Sequence, residues 1–231
     1  MYQIQTHYSE AAEPIPAFSE PGFFFNEEAQ LRQQDSGSFQ LLTALNTNTH
    51  QADARCAVFV DNESAISPKS APFGSVEFIS ALPEHTLIAL IDSLEDEVYR
   101  LGLPVLRLTN YPHCYAPHQA ERLVHELQRR QYQLIDQLVN FHIDVTSVPL
   151  TNRMHLSERR RLAKCRRANF EVTLWRNPPV EEVVQFVERS RTQQGYPLTI
   201  ASKRLDYLLR NFPDQYPVLV VRDGTNVAAL T

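Results

Sequence analysis

Leu82-Pro83-Glu84-His85-Thr86-Leu87-Ile88-Ala89-Leu90-Ile91-Asp92-Ser93-Leu94-Glu95-Asp96-Glu97-Val98-Tyr99-Arg100-Leu101-Gly102 is the stretch that decides the fold, because the hydrophobic period changes there. Leu87, Leu90, Ile91, Leu94 and Val98 recur three and four residues apart, the spacing of a helix with one buried face. Pro83 suits the first turn, Glu84 favours the positive end of the dipole, and Gly102 stops the helix. A compact strand follows over residues 105–109.

Upstream, the pattern is β-rich. Residues 39–46, preceded by Gly37, and residues 54–60 are candidate strands, and Asp61-Asn62-Glu63 turns the chain. Ala65-Ile66 and residues 74–78 are strand-like pieces flanking Ser67-Pro68-Lys69-Ser70-Ala71-Pro72, so an antiparallel meander is predicted. Residues 1–22 are polar and proline-punctuated, an arm with a short edge strand. Phe23, Phe24 and Phe25 anchor the first element, ahead of a short helix over residues 26–33. Downstream, Pro117 opens a helix through Leu123, Val124 and Leu127 that ends near Arg129-Arg130. Residues 132–139 and 141–145 read as a strand pair or one bent strand. A meander followed by helix, strand, helix and strand predicts an α/β (α+β) mixed sheet with helices against its faces.

The second half reads more weakly. Residues 149–155 are a linker, and residues 156–168 a basic helix capped by Ser157. A strand over 170–175, a helix over 181–191 closed by Gly195, and a helix capped by Ser202 follow. Two strands around Asp223-Gly224 end the chain. The second sheet is therefore expected to be incomplete. The expected layout is an arm (1–22), a first domain (23–150) and the start of a second, truncated one (151–231).

Composition sets outer bounds. With 231 residues, 43% apolar and only 6 Gly, the chain is neither disordered nor collagen-like. Cys56, Cys114 and Cys165 show neither metal-ligand nor disulfide spacing, which fits a reducing, cytoplasmic setting. No basic segment precedes an apolar core at the N-terminus, and no run of apolar residues is long enough for a spanning helix, so no transmembrane segment is expected. Residues 1–150 carry 8 Lys/Arg against 19 Asp/Glu, a net of −11, whereas residues 151–231 carry 14 against 8, a net of +6. An anionic partner therefore suits the second half alone.

Several stretches carry a family likeness. They are residues 65–78, residues 102–111, His155-Leu156-Ser157-Glu158-Arg159-Arg160-Arg161-Leu162 with Lys164-Cys165-Arg166-Arg167, and Phe212-Pro213-Asp214-Gln215-Tyr216 before a hydrophobic hairpin. In order and spacing the chain resembles the acyl-CoA N-acyltransferase (GNAT-like) superfamily, and within it the tandem-domain FemAB-like aminoacyltransferase proteins. The resemblance implies an acyl-CoA or aminoacyl-tRNA donor, an amine acceptor such as a small molecule or wall precursor, and no metal. It also implies a cofactor pyrophosphate held in a Gly-rich turn between a central strand and the next helix. The matching place in the first unit reads Ile79-Ser80-Ala81-Leu82, without glycine, and in the second it would lie beyond Thr231.

Individual residues support several chemistries. Glu77 is a candidate base on a strand, and Tyr111 and His113 are candidate proton carriers at a strand end. Cys114 beside His113 and His118 admits nucleophile and metal readings, against the plainer one of a helix-entry loop. The 67–74 loop can present Lys69 to an anion or serve as a rigid turn, the favoured reading. Arg160, Lys164 and Arg167 share one side of the basic helix and are the candidate polyanion contacts, against ordinary solvation of an exposed helix. His142 and Asp144 share a strand face without forming a site. The function expected is acyl or aminoacyl transfer to an amine. The alternatives are a catalytically inactive acyltransferase-fold binding protein and an RNA-contacting module built on the basic helix.

Overall fold

The computed structural model describes residues 1–11, 14–34, 38–139, 141, 143–198 and 200–231. Gly37 and His142 lie outside the described residues. The chain forms two units, residues 1–141 and 142–231.

In the first unit, β1 (Tyr2–Tyr8) leads through a 3-10 turn at Phe24–Asn26 to a four-residue helix, α1 (Glu28–Leu31). Then come β2 (Gln40–Asn46), β3 (Gln51–Asp61), β4 (Ser64–Ser67) and β5 (Glu77–Phe78). They are followed by α2 (Glu84–Arg100), β6 (Val105–Leu108) and α3 (Pro117–Arg129). The sheet order is β1-β2-β3-β4-β6, with β5 paired to β3. Neighbours β1 to β4 are antiparallel and β4 runs parallel to β6, so the sheet is mixed. A parallel neighbour needs a crossover, and α2 supplies it.

Strand parity decides which side chain meets which layer. Leu42, Ala44, Ala54, Cys56 and Val58 face the helical layer, where Leu87, Leu90, Ile91, Leu94 and Val98 of α2 join Leu123 and Leu127 of α3. Leu41, Ala57 and Phe59 point the other way, against Leu31 and Phe39. Covered on both faces, β3 is buried along most of its length. The α2 stripe is the one its spacing predicts, and Gly102 ends the helix at φ +70°, its N–H bonded to the Tyr99 carbonyl.

Three expectations change here. The opening residues supply a full seven-residue edge strand, paired from Tyr2↔Asn46 to Tyr8↔Gln40, and so belong to the first sheet. Residues 132–139 hold no strand: Tyr132 packs on the core with its N–H on the Leu127 carbonyl, and Leu134, Ile135, Leu138 and Val139 are exposed. Phe141 and residues 143–145 form no strand either. A strand needs a neighbour to pair its main chain, and alternation alone does not provide one.

The second unit contains α4 (Leu150–Arg153), α5 (Leu156–Arg167), β7 (Glu171–Leu174), α6 (Val180–Gln194), α7 (Ser202–Asn211), β8 (Leu219–Asp223) and β9 (Asn226–Leu230). Its antiparallel sheet has the order β7-β8-β9. Val183 of α6, Leu209 of α7 and Val218 form its small core, with Trp175 and Leu230 against them. The N-cap of α5 is His155, whose imidazole accepts the Ser157 N–H, so Ser157 sits inside the helix rather than capping it. Likewise Ser202 is the first residue of α7 and Ala201 its cap. Among the described residues no helix is long and apolar enough to cross a membrane.

Candidate functional site

Register places Glu77 of β5 directly opposite Arg55 of β3, and both side chains are only 6% exposed. Arg55 Nε donates to Glu77 Oε2 at 2.9 Å and Nη2 to Glu27 Oε1 at 2.8 Å, while the guanidinium lies 4.6 Å from the Phe18 ring centroid. The second carboxylate oxygen of Glu77 accepts the Phe23 N–H, and Asn26 Nδ2 donates to the first at 3.1 Å. A Cβ at Gly22 would overlap Arg55 Nη2, so a side chain there displaces the guanidinium. Glu77 is thus a fully bonded partner in a buried ion pair.

Tyr111 lies beside this network. It is buried with Phe73 and Ala120, its ring centroid 4.6 Å from that of Phe23. Burial, and then the negative charge of Glu77, push its phenol well above the usual range, so it is a neutral hydroxyl at physiological pH. His113 takes the opposite course. It sits on a 3-10 turn, 62% exposed, with Nε2 3.6 Å from Glu121 Oε1. The fold therefore brings Glu77 and Tyr111 together and leaves His113 on the surface with Cys114 and His118. Among the described residues no group of His, Cys, Asp and Glu side chains is arranged to hold a metal.

The 67–74 loop is tied to its neighbours. Ser67 Oγ accepts the Ser75 N–H at 2.9 Å, the Gly74 N–H reaches the Thr109 carbonyl, and Gln34 Oε1 accepts the Lys69 N–H at 3.1 Å. Lys69 Nζ donates to Asp61 Oδ1 at 2.6 Å. These contacts make a rigid connection.

The 79–82 turn has its carbonyls occupied: Arg122 donates to Leu82 O at 2.7 Å and to Ser80 O at 3.2 Å. Its continuation is different. Pro83 gives α2 no side-chain cap, and among the described residues the N–H groups of Glu84 and His85 have no main-chain acceptor. A cleft of about 420 Å³ opens there between Tyr2 and Ile4 of β1 and His85, Thr86 and Ala89 of α2. His85 was missed by the sequence reading. Its place at a helix entry was legible, but the wall that β1 raises opposite it was not.

Helix α5 carries Arg159, Arg160, Arg161, Lys164, Arg166 and Arg167, and none of its residues is buried. Arg161 pairs with Glu158 at 2.9 Å, and Arg167 Nε donates to the Ala163 carbonyl. Arg160, Lys164 and Arg167 stand on one side of it, as their spacing requires. No family model, curated protein or solved structure matches the chain.

Proposed function

We propose that this chain transfers an acyl or aminoacyl group from an activated donor to an amine. The observation that carries the reading is the open first turn of α2 beside the 420 Å³ cleft. It follows the strand β5 in a mixed sheet whose β4 and β6 run parallel on either side of the α2 crossover. N–H groups with no main-chain acceptor among the described residues, and the positive end of a 17-residue helix, favour a phosphate or a developing oxyanion. In the reaction the amine attacks the donor carbonyl, a C–N bond forms, the thiol or alcohol leaves, and the amine's proton passes to a base. The exposed imidazole of His85, on the cleft wall, suits that last role. The carboxylate of Glu84 at the same turn competes with a donor phosphate, so modest affinity is expected.

A second reading is favoured by a separate observation. Glu77 is fully bonded and Tyr111 is buried among Phe73 and Ala120, which suits an acyltransferase-fold binding protein without turnover. Titrating acetyl-CoA into the whole chain, then adding a primary amine and following thiol release, separates the two. Binding with release that weakens in His85→Ala supports transfer. Binding without release supports the second reading, and an absence of binding removes the thioester donor.

A further inference from the structure

Thr86 lines the cleft at the entry of α2 and is only 2% exposed, yet among the described residues its Oγ1 meets no hydrogen-bond partner. A helical threonine ordinarily bonds its hydroxyl to the carbonyl three or four residues back. Here Leu82 O accepts Arg122 Nη2 at 2.7 Å, and Pro83 O accepts the N–H groups of both Thr86 and Leu87. Both local acceptors are engaged, so the hydroxyl keeps its proton unshared. A buried donor in this state costs stability, and an oxygen brought by a ligand removes that cost.

The walls select the ligand. Tyr2, whose hydroxyl is committed to Asp53 at 2.8 Å, stands around the cleft with Ile4, Pro83 and Ala89, so the cleft offers mostly hydrocarbon. Among the lining side chains only His85 can carry a positive charge, and Glu84 occupies the same turn, so a polyphosphate finds little to neutralise it. The donors are the Thr86 hydroxyl and the His85 N–H, which has no main-chain acceptor among the described residues. Two donors match the two lone pairs of one carbonyl oxygen. At about 420 Å³ the cleft is of ligand size, since small-molecule pockets run from about 300 to 1,000 Å³. We propose that this cleft binds a short-chain acyl group, its carbonyl oxygen accepting from Thr86 Oγ1 and the His85 N–H, its chain lying along Tyr2, Ile4 and Ala89. Rotation about χ1, which has two populated wells for threonine in a helix, turns the hydroxyl toward the bound oxygen. An acyl ligand here rests on the transfer reading for its activated source, whereas its place in the cleft is measured without turnover.

The test titrates hexanoate, acetate and inorganic phosphate into the isotope-labelled whole chain, with binding followed through the amide resonances. Hexanoate shifts His85 and Thr86. On a half-open wall each methylene adds about twofold, so hexanoate exceeds acetate by about tenfold. Thr86→Val keeps the shape of the side chain, loses about tenfold in affinity, and leaves the unfolding midpoint of the free chain unchanged or higher. Thr86→Ser retains binding. Ile4→Ala weakens hexanoate and leaves acetate unchanged. Hexanoate binding no better than acetate, phosphate displacing hexanoate, or Thr86→Val binding as the parent does overturns the acyl site. Thiol release from acetyl-CoA alongside any of those results leaves transfer standing with its acyl group elsewhere. Hexanoate binding that depends on Thr86, without thiol release from hexanoyl-CoA and an amine, upholds the acyl site and removes transfer.

Discussion

Glu77 and Arg55 face each other where water is excluded, and a buried charge is tolerated only with a partner. Glu77→Gln preserves the shape of the side chain but leaves Arg55 with Glu27 alone, and a loss of about 3 kcal/mol is expected in urea unfolding. An unchanged midpoint would show that Glu77 does not hold this network. Gly102 gives a second local test. Its φ of +70° strains any side chain although a Cβ would meet nothing, so Gly102→Ala should lose about 1–2 kcal/mol and Gly102→Asn less. Titration gives a third. Burial raises the Cys56 thiol from 9.0 to about 12, and burial, then the bond to Asp53, raises the Tyr2 phenol from 10.0 to about 12. Both groups are held in their neutral forms. Their contribution is therefore complete below pH 9 and is lost as pH climbs to about 12. Denaturant midpoints measured across that window should fall, and Cys56→Ala should remove the earlier part of the decline. Reading residue by residue, the sequence marked Glu77 and Tyr111 but not their partners. Arg55 is 22 positions from Glu77, and only strand register makes them neighbours.

At the scale of elements, legibility followed how an element satisfies its own backbone. Helices α2 and α3 bond internally, and their stripes and end signals lie in one contiguous stretch, so their bounds were readable. Leu90 lies at the centre of the α2 stripe and is fully buried, and Leu90→Ala should cost about 3 kcal/mol. Tyr99 on the same helix is 86% exposed, and Tyr99→Ala should stay within about 0.5 kcal/mol. Equal losses at the two positions in thermal unfolding would contradict the assigned face. Residues 132–139 show the opposite case. Their alternation fits a strand, but they meet no neighbouring edge, and no periodicity reports whether an edge is present. Strand β1 differs in the other direction: the short edge strand expected in the polar arm runs over seven residues, because β2 pairs it along its full length.

For the whole molecule, the two units differ in what they bury. The first encloses its central strand between two layers, whereas among the described residues the buried apolar side chains of the second are Val183, Leu208, Leu209, Val218 and Val220. Stability rises with buried apolar area. Limited proteolysis should therefore cut within the exposed residues 133–139 and within the second unit, leaving a resistant fragment that contains α2 and β3. Rapid loss of that fragment alongside the rest would refute the difference. The sequence by itself determined the α/β class, the buried face of α2, its stop at Gly102 and the basic side of α5, because periodicity, turn residues and charge are local properties. Only the tertiary structure decided that Glu77 is an ion-pair partner and that Tyr111 turns inward while His113 turns out. It alone set the first turn of α2 beside a cleft, since register and packing bring together residues that no spacing along the chain relates.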